Sequence, residues 1–119
     1  APDDPRVLWI LGGRQMWIPA AAGGGRDRAL ATFERGLAAA RAEAGRVTAA
    51  DAPAVAASLL PRWGEPELLA AVAYLWSAFE PRDPALAEQI ANRALDLRPD
   101  WRYARQTLLA GISAARSGR

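Results

Sequence analysis

Residues 85–101, ALAEQIANRALDLRPDW, constrain the fold of this chain more than any other stretch. Ala87, Ala91 and Ala94 recur at spacings of four and three, which puts three small side chains on one face of a helix. Alanine favours helix and lets a neighbouring helix approach closely. Pro99 then closes the segment, because proline lacks the backbone N–H and clashes with the preceding turn. Upstream, Asp83-Pro84 supplies an N-cap followed by proline at the first helical position. The spacing predicts a helix over residues 84–97 that buries Leu86, Ile90, Ala94 and Leu97.

The same punctuation divides the rest of the chain. Residues 5–17 read as a helix, with Pro5 in its first turn and Leu8, Leu11 and Gln15 along one side, Gly12 beside Leu11. A loop over 18–25 follows, marked by Pro19 and the run Gly23-Gly24-Gly25. Asp27 lies near the next helix start, where the dipole favours an acid. Over 28–44, Leu30, Phe33, Leu37, Ala40 and Ala44 form one apolar stripe, while Glu34, Arg35, Arg41 and Glu43 lie off it; Gly45 is the expected stop. Asp51 and Pro53 could cap a short helix ending at Pro61, and Trp63-Gly64 reads as a turn. A helix over 66–79 places Leu69, Val72, Trp76 and Phe79 inward. A closing helix runs from Pro99-Asp100 to about residue 116, with Trp101, Leu108 and Ile112 inward. Short connections make neighbouring helices antiparallel, and no segment sustains period-two alternation, so no sheet is expected.

Composition narrows the chemistry. With 119 residues the chain is one domain or the C-terminal part of a longer chain. It has no Cys and no His, and all 15 basic residues are Arg. Disulfides, thiolate or imidazole catalysis and lysine Schiff bases are therefore excluded. A net charge of +2, spread along the chain without a basic run, does not suggest nucleic-acid binding. The longest uncharged stretch, residues 68–79, is too short to span a membrane, so no membrane insertion is expected. No cofactor is implied.

Two hairpins and a closing helix carry a resemblance. Ala87, Ala94 and Pro99 stand where the tetratricopeptide repeat (TPR) places the two alanines of its second helix and its closing proline. Tyr74-Leu75 occupies the Leu-Gly pair of the first helix, so glycine is missing there, and Ala91 stands where an aromatic is usual. Leu8, Leu11 and Gly12, with Ala29, Phe33 and Gly36, resemble an earlier unit in which Gly36 replaces an alanine. Asp4-Pro5-Arg6, Pro19, Gly23–Gly25, Trp63-Gly64 and Pro99-Asp100-Trp101 together resemble a narrower group of bacterial TPR-like proteins, often exported. The proline and Gly-Gly turn is also similar to that of the periplasmic T component of TRAP transporters. The resemblance implies an all-α fold: antiparallel hairpins stacked as a short right-handed solenoid with a C-terminal capping helix. Unit one spans about 5–44, an irregular connection 45–64, unit two about 65–98, and the cap about 99–116. It favours a periplasmic or exported location over a cytoplasmic one.

Each candidate site has a packing role as its alternative. The Gly23–Gly25 run before Arg26 and Arg28 could offer N–H groups to an anion, but a turn between helices is the expectation, and it lacks a dinucleotide fingerprint. Of the five tryptophans, Trp9 and Trp76 lie inside apolar stripes and read as core, whereas Trp17 and Trp63 sit at element ends beside loops and are the groove candidates. Arg14, with Arg62, could hold a carboxylate of a peptide partner, the alternative being a solvated helix face. Glu65 and Glu67 diverge on a helix, and no carboxylate pair suggests acid–base work. The expectation is a non-catalytic scaffold that docks a protein or peptide segment through Arg14, Trp17, Arg62 and Trp63. The alternatives are a periplasmic ligand-binding or transporter-associated protein, or a self-associating structural domain.

Overall fold

The computed structural model describes residues 4–49 and 64–117, with the backbone alone over 44–49. Within them the chain is all-helical: α1 Pro5–Gln15, a short 3₁₀ turn Ala20–Ala22, α2 Arg26–Ala49, α3 Glu65–Ala78, α4 Pro84–Leu97 and α5 Leu109–Arg116. A π-helical turn, Ala104–Leu108, leads into α5. No strand occurs among the described residues.

Local chemistry sets these boundaries. The Asp4 carboxylate accepts the Arg6 N–H at 2.8 Å and caps α1, with Pro5 in the first turn. Asp83 caps α4 by accepting the Leu86 N–H at 3.1 Å. Ahead of α3, Gly64 takes φ 116°, and the Glu67 carboxylate reaches back to accept its N–H at 2.9 Å. α4 spans the expected residues. α1 ends two residues earlier than expected, at Gln15, and α2 continues through Gly45 to Ala49. One glycine inside a helix costs about 1 kcal/mol relative to alanine, too little to stop a long helix. The short helix expected after Asp51 lies outside the described residues.

α1 pairs with α2 and α3 with α4; α2 packs on α3 and α4 on α5, and α3 also meets α1 and α5. The core joins Phe33 and Leu37 of α2, Leu68, Val72 and Leu75 of α3, Ile90 of α4, and Leu108 and Ile112. Ala87, Ala91 and Ala94 are all fully buried, as their spacing predicts. Glycine is required where α1 and α3 meet α2. A Cβ on Gly12 would lie 2.5 Å from Phe33 Cε1, and one on Gly36 would lie 2.9 Å from Leu68 Cδ2. Leu97, expected inward, is instead exposed on the last turn of α4. Leu11 is also exposed, because Leu8 and Gly12 form the side of α1 that turns to the core.

Candidate functional site

The described residues form a groove of about 550 Å³ whose wall is almost entirely apolar. Alternate helices supply it. Trp9, Ile10, Gly13 and Arg14 come from α1, while Glu67, Ala70, Ala71 and Tyr74 come from α3. Trp101 and Tyr103 close it from the approach to α5, and Phe33 of α2 forms part of the floor. The volume falls within the range of roughly 300–1,000 Å³ usual for binding sites.

Glu67, Trp101 and Tyr103 are held from behind. Glu67 Oε2 pairs with Arg98 Nη1, while its Oε1 accepts the Gly64 N–H, so both carboxylate oxygens are engaged in structure. The Arg98 guanidinium lies 5.0 Å from the Trp101 ring centroid, a cation–π contact that fixes the indole against the groove. Trp101 in turn packs on Tyr103, with ring centroids 5.6 Å apart. Arg105 Nε donates to the Pro99 carbonyl at 2.6 Å and staples the approach to α5. The π turn that follows belongs to a class of helix irregularity frequent at functional sites. Burial, and secondarily the neighbouring Tyr74, push the Tyr103 hydroxyl above its ordinary value, so it stays a neutral phenol at physiological pH.

Of the four residues expected to bind a partner, two can be placed. Arg14 lines the groove and is exposed. Its side chain makes no hydrogen bond or ion pair among the described residues. Trp17, just past α1, is 66% exposed and packs on Phe79 and Tyr74 with centroids 5.2 and 6.3 Å away. Through Tyr74 it continues the aromatic surface from the groove's edge. Arg62 and Trp63 lie outside the described residues. Trp9, expected in the core, is 38% exposed and lines the groove. Trp76 is half-buried, as a core reading requires, with the Arg26 guanidinium 4.1 Å from its ring centroid. Ile10, Tyr74, Trp101 and Tyr103 were not among the expected site residues. Their signal was available only as same-face spacing: Ile10 with Arg14 on α1, and Glu67, Ala70 and Tyr74 on α3.

The glycine-rich loop is a turn. The Gly23 N–H donates to Ala20 O at 3.1 Å, Gly24 to Pro19 O at 3.1 Å and Gly25 to Gln15 O at 2.9 Å. Those donors are spent on the chain itself and none remains for an anion. Gly23 and Gly25 adopt φ of 94° and 100°, which explains two of the three glycines. A Cβ on the third, Gly24, would lie 2.4 Å from Ile18 O. Arg26 folds inward onto Trp76 and pairs with Asp27 at 2.6 Å.

Glu65 and Glu67 diverge as expected, Glu65 pairing with Arg41 at 3.0 Å and Glu67 with Arg98. Among the described residues no three acidic side chains converge as metal ligands, and no helix is long and apolar enough to cross a membrane. No family model, curated protein or solved structure matches the chain. Its likeness to the tetratricopeptide repeat is thus one of residue pattern.

Proposed function

We propose that this chain is a non-catalytic interaction scaffold of the tetratricopeptide-repeat type, which docks a protein or peptide segment in the groove between α1, α3 and the approach to α5. The observation that carries the reading is the source of the lining. Alternate helices line one concave face, and the helices between them pack behind it. A stacked array of hairpins in which the first helix of each pair faces the partner would have this arrangement, with α5 as the cap. Aromatic side chains dominate the wall and its edge, which suits a partner anchored by bulky groups. Among the described residues the acid in the wall, Glu67, is occupied by Arg98 and the Gly64 N–H, an arrangement that favours docking over proton transfer.

The test is selection of binders from a random-sequence peptide display library with the intact chain as bait. Ile10 is 56% exposed and Tyr103 is exposed as well, so Ile10→Glu and Tyr103→Glu put charges into the groove without disturbing the core. Selected peptides are expected to lose binding to both variants. Peptides that bind both as well as the parent chain would refute the groove as the docking face.

A second reading has its own observation. Val7, Ile10 and Leu11 leave part of α1 apolar and exposed, a surface a second copy could cover. Light scattering over a concentration series checks it: a dimer broken by Val7→Glu and Leu11→Glu would support self-association through this face.

A further inference from the structure

Resting on the docking reading above, we infer that the groove's partner is an acidic amphipathic segment: bulky apolar side chains seated between α1 and α3, with a side-chain carboxylate on Arg14. The argument is one of charge complementarity. Among the described residues the groove wall carries Arg14 and Glu67, and Arg98 touches it through Glu67 and Trp101. Glu67 and Arg98 neutralise one another, and Arg98 is further engaged by the face of Trp101. That leaves Arg14, a cation beside an apolar surface, with no acid paired to it among the described residues. Arginine supplies a planar fork of donors that matches a carboxylate in two parallel hydrogen bonds. A partner that covered the groove with apolar groups alone would strip water from this guanidinium and leave its donors unmet, which opposes binding. A partner with a basic group there would add repulsion. An acid beside the anchors satisfies both constraints.

The chemistry also separates a side-chain carboxylate from a captured chain terminus. Terminal carboxylates are held by converging backbone N–H donors. Arg14 lies within α1, where backbone N–H groups are committed to the helix, and the glycine-rich loop donors are spent on Gln15, Pro19 and Ala20. One guanidinium fits one side-chain acid. The anchors face Ala70, Ala71 and Gly13, the small residues that leave the concavity open.

The same peptide library supplies the test, with selection against the full chain followed by synthesis of individual binders. Enriched sequences are expected to carry Asp or Glu within about one helical turn of aromatic or aliphatic residues. Replacing that acid by its amide should weaken binding about five- to tenfold, and Arg14→Gln should do the same to the parent peptide. With Arg14→Glu the preference should invert, so that a peptide carrying Arg in place of the acid binds more tightly than the acidic one. Arg14 is exposed, so far-UV circular dichroism of the variants should match that of the parent. Binders that contain no acid, or that ignore both Arg14 substitutions yet fail on Ile10→Glu and Tyr103→Glu, would overturn the inference and leave the groove reading standing. Binders that ignore all four variants would overturn both.

Discussion

Gly12 and Gly13 are neighbours on α1, and the structure predicts opposite consequences for the same substitution. Replacing glycine by alanine in a helix gains about 1 kcal/mol from lower backbone entropy in the unfolded chain. At Gly13 nothing lies within 4 Å of the added Cβ, so Gly13→Ala should stabilise by about that amount. At Gly12 the Cβ would sit 2.5, 2.7 and 2.9 Å from three ring carbons of Phe33. Phe33 is fully buried, and its rigid ring gives less readily than a flexible side chain would. The contact must open by about 1 Å, the scale of overpacking that costs about 1–3 kcal/mol and offsets or exceeds the propensity gain. The two variants should therefore differ by about 1–3 kcal/mol, with Gly13→Ala the more stable. At about 4 °C per kcal/mol for a domain of this size, their melting temperatures should separate by about 4–12 °C. Urea unfolding followed by circular dichroism checks the difference at unchanged m-value. Equal stability of the two variants would show that α1 does not rest on Phe33 through Gly12, and would undo the packing that orients α1 toward the groove.

Further outcomes follow from single side chains. Arg26 has Nε and Nη2 buried without hydrogen-bond partners, while its one ionic partner, Asp27, is largely solvated. Arg26→Met keeps apolar contact with Trp76 and orphans no buried charge, so it should stabilise by about 1 kcal/mol; a lower melting temperature would contradict this. Asp83→Ala removes the cap on α4 and should destabilise by about 1 kcal/mol in denaturant titration, with Asp83→Asn recovering most of the loss. The Tyr103 hydroxyl is held above its ordinary value of 10.0, so the folded state keeps a proton that the unfolded state releases first. Stability should then fall as pH rises beyond about 10, and Tyr103→Phe should flatten that decline in melts taken across the alkaline range.

The elements were legible where punctuation acts locally. Asp83-Pro84 and Pro99 bound α4 through capping and a missing N–H, effects confined to one turn, and the alanine face of α4 was buried as its spacing required. Legibility failed where a decision belongs to the tertiary fold. Residues 7–11, Val-Leu-Trp-Ile-Leu, are apolar on every side, so periodicity cannot orient α1. Its rotation is selected by Gly12 fitting Phe33, a contact between residues far apart in sequence, and that choice turns Trp9 toward the groove and Leu11 to solvent. Leu97 completed an inward stripe on paper, but its position on the last turn of α4 leaves it exposed. Arg14 stands out in the sequence as a cation on the first helix away from Leu8 and Leu11. Trp101, expected inward, is partly buried against the core and also lines the groove, a second face that a tryptophan behind a helix stop does not advertise.

A concavity in a helical stack is a local deficit of side-chain volume, and that deficit can be traced here to named positions. Gly13 on α1 and Ala70 and Ala71 on α3 line the space between the two helices. Larger residues at those positions would fill the seam and join the core on the other side of α3, where Leu68, Val72 and Leu75 already interdigitate with α2 and α4. Around the small residues stand Trp9, Tyr74, Trp101 and Tyr103, too large to collapse into the gap and braced by Arg98, by one another and by Trp17. The alternation of small floor and large rim keeps the groove open without strain in any helix. The cost is exposed aromatic surface, which a folded chain otherwise minimises. Concentrating that surface around Arg14, whose side chain has no partner among the described residues, suits a face that a partner is to cover, and this is the physical sense in which α1, α3 and the approach to α5 belong together.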